Sequence, residues 1–302
     1  MNASRLRTSI VLNVGSGDGA AESARDTLHA LFSEAGHDVT VTLVRSGGDI
    51  RAAVQDALSR NAHTIIAGGG DGTVNGVAQL MVGHSAQLGV VPLGTLNHFA
   101  RDLDIPLDLR EAARVILDGT TLQVDVGEVN GRYFLNNSSL GLYPRIVQLR
   151  ERYKARGALK WLVAIWATLR VISASRPLRV RIHIDGRDVV RTTPLVFIGN
   201  NEYRMTGVDA GSRESVVGGQ LALYVVKTDG QWRLLRLVWR ILTGTAQRSG
   251  ELALVRATNA TIDTSRSPLP VAVDGEVESM NAPLRYRIRA AALTVHVPSV
   301  TP

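Results

Sequence analysis

Two hydrophobic periods run along the chain, and the change between them falls just past Gln123. In the first part, short apolar runs alternate with longer amphipathic stretches. The runs are residues 9–13, 38–44, 64–67 and 88–91, and the stretches at 20–35, 49–59 and 73–82 carry apolar side chains at helical spacing. Strands separated by helices in this way predict a parallel sheet covered on both faces. Beyond Gln123 strand-like alternation takes over. Residues 125–129, 133–138, 179–185, 189–198, 221–227, 252–263, 270–274 and 284–289 read as strands, with tight turns at Asp185-Gly186-Arg187 and Asp274-Gly275-Glu276. That succession predicts a mostly antiparallel second domain, a β-sandwich. The expected division is an α/β domain over residues 1–124 and the sandwich over 125–290, with a last strand inside 291–302 that either stays with the sandwich or returns to the first domain.

Candidate chemistry sits where apolar runs end. Thr64-Ile65-Ile66-Ala67 leads into Gly68-Gly69-Gly70-Asp71-Gly72-Thr73-Val74-Asn75, a strand, a tight turn and a helix start. Glycines let the backbone approach a ligand closely, and the first turn of a helix adds N–H donors and a positive dipole end, so a phosphate is the expected occupant. Asp71 does not fit as a phosphate ligand. A carboxylate beside phosphates needs a divalent cation or a proton in transfer between them, so Asp71 points to chemistry. Two further loops, Val14-Gly15-Ser16-Gly17-Asp18-Gly19 and Pro92-Leu93-Gly94-Thr95-Leu96-Asn97, also follow strands. Ligands of such sheets bind at the carboxyl ends of the strands, so the three loops are expected to converge.

Composition narrows the class. Of 302 residues, 45% are hydrophobic and 20% charged, which fits a globular chain of two domains. Cysteine is absent, so disulfides and thiolate metal sites are excluded and a cytoplasmic protein is the expectation. The apolar run after the basic N-terminus is too short for a signal peptide, and no stretch reads as a transmembrane helix. The net charge of +7 is unevenly placed. From Arg145 to Arg191 there are twelve bases and three acids, so this stretch carries the whole excess and suits an anionic surface, lipid or nucleic acid. Two segments, residues 159–172 with Trp161 and Trp166 and residues 231–242 with Trp232 and Trp239, have the pattern of interfacial amphipathic helices. Packing of the same faces against the second domain's sheets is the competing reading.

These motifs together resemble the diacylglycerol kinase catalytic domain family, which includes sphingosine kinases and bacterial lipid kinases. The resemblance spans nearly the full chain. It rests on Asn13-Val14-Gly15-Ser16-Gly17, Gly69-Gly70-Asp71-Gly72-Thr73-Val74-Asn75, Gly94-Thr95-Leu96-Asn97-His98-Phe99-Ala100-Arg101, Phe134-Leu135-Asn136-Asn137 with Gly141, and Asp274-Gly275-Glu276. The Gly-Gly-Asp-Gly-Thr element is shared with NAD kinases and phosphofructokinases; the element at residues 94–101 is more specific to lipid kinases. The fold implied is a Rossmann-like α/β domain joined to a β-sandwich. The activity implied is transfer of the ATP γ-phosphate to a lipid hydroxyl with Mg²⁺, in phospholipid metabolism. ATP would contact Asn13, Gly15, Ser16, Gly17, Gly69, Gly70, Asp71, Gly72, Thr73, Asn75, Gly94 and Thr95. Glu276 matches the general base, Asp71 acts through magnesium, and Asp125 joins a magnesium network. Asn97, Arg101 and Asn136 would support the lipid site.

The chain departs from the family at several places. His98 stands for an aspartate, Gly76 for a glutamate and Val14 for a proline. Val216-Val217-Gly218-Gly219-Gln220 stands where many relatives place aspartates before a glycine to hold a structural magnesium. The expected partners are a lipid substrate and, through the Arg145 to Arg191 patch and the Trp-rich helices, an anionic membrane surface, without nucleic acid; a homodimer stays open. Rival readings are a kinase of a soluble acceptor of the NAD kinase kind, a non-catalytic nucleotide or lipid sensor, and a nucleic-acid-binding protein.

Overall fold

The computed structural model describes residues 6–15, 20–152, 177–204, 212–227 and 252–299, with Arg236 and Arg240. The chain divides into two compact units, residues 1–126 with 290–302, and residues 127–289. In the first unit the elements are β1 (Arg7–Asn13), α1 (Ala20–Glu34), β2 (Asp38–Val44), α2 (Gly47–Ser59), β3 (Thr64–Gly69), α3 (Asp71–Met81), β4 (Gln87–Pro92), α4 (His98–Asp102) and α5 (Leu109–Asp118). Strands β2, β1, β3 and β4 pair in parallel in that order. The middle strand β3 is buried at every position, which is why its sequence is an unbroken apolar and glycine run. Ile10, Leu12, Leu28, Phe32, Ile66 and Val91 form the core beneath α1 and α5.

Helix starts follow local chemistry. Ser46 accepts a hydrogen bond from the Asp49 N–H, and Asp49 answers the Ser46 N–H at 2.9 Å, a capping box that sets where α2 begins. Asp108 caps α5 by accepting from the N–H groups of Arg110 and Glu111.

The second unit holds β6 (Arg132–Phe134), β7 (Asn137–Gly141), α6 (Leu142–Arg152), β8 (Leu178–Ile184), β9 (Arg187–Thr193), β10 (Leu195–Asn200), β11 (Leu221–Val226), β12 (Leu252–Ala257), β13 (Asn259–Thr264), β14 (Leu269–Val273) and β15 (Glu276–Met280). Strands β12, β11, β10, β7, β14 and β15 make one antiparallel sheet in that order. Strands β8, β9 and β13 make the other, with the first half of β16 (Leu284–Val297). Val180, Ile182, Ile262 and Tyr286 from this second sheet meet Leu140, Ile198, Leu223 and Val271 from the first in one buried cluster. The turns Asn130-Gly131, Asp185-Gly186 and Asp274-Gly275 each have two residues at positive φ, the two-residue hairpin form that asparagine, aspartate and glycine favour.

Three expected strands are in fact pairs. Residues 189–198 break at Pro194, which offers no N–H to a ladder, and β9 and β10 on either side enter different sheets. Residues 252–263 likewise break at Thr258 into β12 and β13, and residues 133–138 into β6 and β7. Conversely, residues 284–289 and 292–297 form the single strand β16. It pairs antiparallel with β13 through Asn259 and Arg287, and in parallel with β4 through Val295 and Leu88. At its bend Ala291 has φ 51°, a left-handed conformation unfavourable to a residue with a Cβ. The buried Asp125 of β5 (Thr120–Val129) accepts the Ala291 N–H at 3.0 Å and holds it there.

Two histidines sit where β1, β3 and β16 begin or end. His37 Nδ1 lies 2.8 Å from Thr8 Oγ1, and His296 Nε2 lies 3.5 Å from Thr64 Oγ1. Burial lowers the pKa of His37 below 6.5, and burial together with the charge on His37 lowers that of His296. A depressed histidine pKa means the unfolded chain binds more protons, so this stability is present above about pH 6.5 and lost as pH falls through the folded values. The urea midpoint is therefore expected to drop between about pH 7 and pH 5, and His296→Gln should flatten that slope.

Candidate functional site

The loops after β3 and β4 meet, and the described start of the loop after β1, Val14-Gly15, is joined to them through Asn13. Asn13, the last residue of β1, donates from Nδ2 to Thr73 Oγ1 at 2.9 Å, and its Oδ1 accepts the Gly15 N–H at 2.9 Å. One side chain thus ties the loop after β1 to the first turn of α3. A Cβ added at Gly94 would come within 2.4 Å of Gly70 Cα, so the loop after β4 lies against the loop after β3 with only hydrogen between them. Gly69 is equally constrained: a Cβ there would meet Thr73 Oγ1 at 2.5 Å.

Helix α3 starts at Asp71 with Gly70 as its N-cap and no side chain capping it. The Thr73 and Val74 N–H groups bond to Gly70 O at 2.9 and 3.1 Å, while those of Asp71 and Gly72 precede the first internal bond of the helix. Asp71 Oδ1 accepts the Phe99 N–H at 3.4 Å, joining α3 to α4. Asn75 is 3% exposed, and among the described residues neither its Oδ1 nor its Nδ2 has a hydrogen-bond partner.

Asn97 is at φ 51° and leads into α4, but its side chain does not cap the helix. Instead its Oδ1 accepts from Gly94 N at 3.1 Å and its Nδ2 donates to Gly94 O at 2.8 Å, fixing the glycine loop. Arg101 Nε donates to Leu96 O at 3.0 Å across the same loop, and Thr95 and His98 are exposed. Ser16 and Gly17 lie outside the described residues, as do the Trp-bearing segment 159–172 and all of 231–242 but Arg236 and Arg240.

In the second unit, Glu276 opens β15 with its side chain 64% exposed. Arg132 Nη2 donates to Glu276 Oε2 at 3.1 Å, and the same guanidinium lies 2.9 Å from Glu278 Oε1. Asp274, two residues earlier, is half-buried, with its carboxylate turned inward. Its carboxylate accepts three backbone N–H groups, from Leu135 at 2.8 Å, Asn136 at 2.8 Å and Asn137 at 3.0 Å. Burial pushes its pKa up to about 6, against the pull of those three donors and of the Arg213 charge. Asn136 is buried, and its carbonyl accepts from Asn200 N and Tyr203 Oη, so its backbone belongs to this framework.

Sequence reasoning missed the inward role of Asp274, the brace from Arg132, and Arg213. Alternation marks which strand face is buried, but it does not mark a turn residue that folds back into the core. The magnesium network expected at Asp125 meets no group of three metal-ligating side chains among the described residues. The structural magnesium of relatives does not fit residues 216–220 either, since none of their side chains is a carboxylate.

An α/β unit whose parallel strands end in glycine loops, carried with an antiparallel β unit, defines the fold of diacylglycerol kinases and NAD kinases. Residues 7–129 match the diacylglycerol kinase catalytic domain, and residues 139–297 match the YegS C-terminal NAD kinase beta sandwich-like domain. The chain belongs to this lipid-kinase family, and it is a kinase. It is 28% identical over 257 residues to a diacylglycerol kinase of Bacillus subtilis, covering 82% of each chain. It is 27% identical over 279 residues to one of Staphylococcus carnosus, covering 90% of this chain and 89% of that one. A diacylglycerol kinase structure from Bacillus anthracis shares the fold with TM-score 0.71 at 22% identity, covering 97% of each chain. Yeast NADH kinase shares it with TM-score 0.55 at 13% identity, covering 99% of this chain and 85% of that one. No described helix is long and apolar enough to cross a membrane.

Proposed function

We propose that the protein transfers the γ-phosphate of ATP, taken as its Mg²⁺ complex, to the hydroxyl of diacylglycerol or a related lipid. The observation that carries this reading is the meeting of the end of β1 with the loops after β3 and β4, tied by the Asn13 to Thr73 bond and the contact of Gly70 with Gly94. Glycine backbone and the N-terminus of α3 cradle the phosphates. Asp71 would hold the magnesium ion that arrives with ATP, and that ion would supply neutralisation of the phosphate charge. The lipid hydroxyl oxygen bonds to the γ-phosphorus in line, the bond to the β-bridging oxygen breaks, and ADP leaves with those electrons. Glu276 takes the hydroxyl proton, with Arg132 fixing which carboxylate oxygen is offered. Asn97 and Arg101 hold the loop after β4 in shape, and Asp125 orders the β5 to β16 junction.

A lipid acceptor is favoured by the names of the relatives and by the surface of the second unit. On β8 Arg179 and Arg181 alternate outward, and across the hairpin Arg187 and Arg191 are exposed beside Val189 and Val190, which are 40% and 41% exposed. Arginines interleaved with exposed valines suit the headgroup layer of an anionic membrane, on which a peripheral enzyme would meet its substrate.

The test is transfer of labelled γ-phosphate from MgATP to separate acceptors: diacylglycerol, sphingosine, monoacylglycerol and phosphatidylglycerol in mixed micelles, and NAD in solution. Labelling of a lipid is the expected result. Labelling of NAD alone replaces this reading with a soluble-acceptor kinase, and ATP binding without any labelled acceptor replaces it with a sensor. On the labelled lipid, Glu276→Gln is expected to lower kcat by about 100-fold, the scale of lost acid–base help, with ATP affinity unchanged.

A further inference from the structure

The segment Leu135–Asn137 of the second unit is gripped from both sides of its backbone. Asp274 takes its three N–H groups. On the carbonyl side, Leu135 O accepts from Arg213 Nη1 at 2.6 Å and from Asn200 Nδ2 at 2.7 Å. Arg213 is only 6% exposed, and its charge acts on the Asp274 carboxylate. A half-buried anion and a buried cation therefore flank one short stretch of chain, and each offsets the desolvation of the other.

The same network reaches residues 216–220. Asn200 Oδ1 accepts from Asn201 Nδ2 at 3.4 Å, and Asn201 Oδ1 accepts the Gln220 N–H at 3.3 Å. Gly218 packs so closely that a Cβ there would come 2.7 Å from Asn201 Oδ1. The neighbouring carboxylate, Glu202, is held by two bonds from Arg256 at 2.6 and 2.9 Å. The hydrogen bonds to Asn200, Asn201 and Glu202 bring proton donors to side-chain oxygens that a cation would need, and the buried guanidinium repels any second positive charge.

We infer that Arg213 is the built-in replacement for the structural magnesium of related chains, so that the second unit holds Leu135–Asn137 in place with no bound divalent cation. The chain carries this positive charge covalently, on Arg213. The requirement for Mg²⁺ is then confined to the nucleotide, and Arg213 is a positioning residue for the Asp274 to Glu276 turn. This inference stands whichever acceptor the kinase uses.

The experiment is done without nucleotide on the full chain. Wild-type protein is dialysed against MgCl₂ and then against metal-free buffer, its magnesium content is measured by mass spectrometry, and its thermal midpoint is recorded in EDTA and in MgCl₂. The expected result is no stoichiometric magnesium and midpoints that agree within about 1 °C. One equivalent of retained magnesium, or a midpoint raised several degrees by MgCl₂, overturns the inference. Arg213→Met is expected to lower the midpoint by about 5 °C or more, because the Asp274 carboxylate then stays turned inward without its counter-charge. Arg213→Lys should recover part of that loss, since it restores charge but not the planar fork. If Arg213→Met is as stable as wild type, the arginine is not the replacement. If it does not fold, the wild-type metal comparison and Arg213→Lys still decide the matter.

Discussion

Asp71→Asn is expected to lower phosphoryl transfer by about 1,000-fold, the upper end for removing one preorganised charged group from a transition state. The thermal midpoint should stay within about 1 °C of wild type, because the side chain is outside the core clusters and, among the described residues, takes part in one long hydrogen bond, from Phe99. The substitution preserves size and removes the charge. Asp71 sits in the first turn of α3, where the helix dipole already favours an anion, so its carboxylate competes with phosphate unless a cation joins the two. A steady-state comparison of wild type and variant over a range of Mg²⁺ concentrations checks this. The variant should lose kcat and show a weakened response to Mg²⁺, whereas activity within tenfold of wild type would remove Asp71 from the machinery.

Asp274→Ala is expected to unfold the second unit. Removing the carboxylate orphans three buried N–H groups at roughly 1–3 kcal/mol each, and the sum of about 3–9 kcal/mol compares with a total stability of about 5–15 kcal/mol. Loss of the near-ultraviolet circular dichroism and of a cooperative melting transition would register it. Asp274→Asn should be milder, since its single amide oxygen can still serve Asn136 and Asn137 while the Leu135 N–H loses its partner. The pH dependence separates the two residues further. Because the folded pKa of about 6 lies above the ordinary 3.8, the native state keeps a proton that the unfolded chain has released in that window. The contribution is thus complete below pH 3.8 and declines as pH rises through about 6. The stability of wild type relative to Asp274→Asn should fall across the same interval, and a flat difference would show that the carboxyl titrates as an ordinary one.

The first unit was largely legible because its signals are local. Thr64–Gly69 is apolar and glycine-rich because it is the middle strand, and Gly69 and Gly94 are glycines because another atom occupies the space of a Cβ. Each of those constraints leaves a mark at the residue itself. The second unit was less legible because its decisive features depend on partners distant in sequence. Alternation runs unchanged through Pro194 and Thr258, so 189–198 and 252–263 read as single strands although each turns from one sheet to the other. EVESM at Glu276–Met280 carries two acids and a serine and gives no strand signal, yet it is an edge strand paired with β14. The grip of Asp274 on Leu135–Asn137 joins residues about 140 positions apart, and no spacing rule connects them.

Strand β16 gives the chain an order of assembly. Its first half belongs to residues 127–289 and its second half to the unit that begins the chain, where Val295 lies beside Leu88 of β4. During synthesis on a ribosome, β4 therefore emerges some two hundred residues before its neighbour, and its outer edge waits with unpaired peptide groups through the making of the whole second unit. A fragment stopping at residue 126 would keep that edge open for good, which makes it a poor candidate for expression as a separate nucleotide-binding piece.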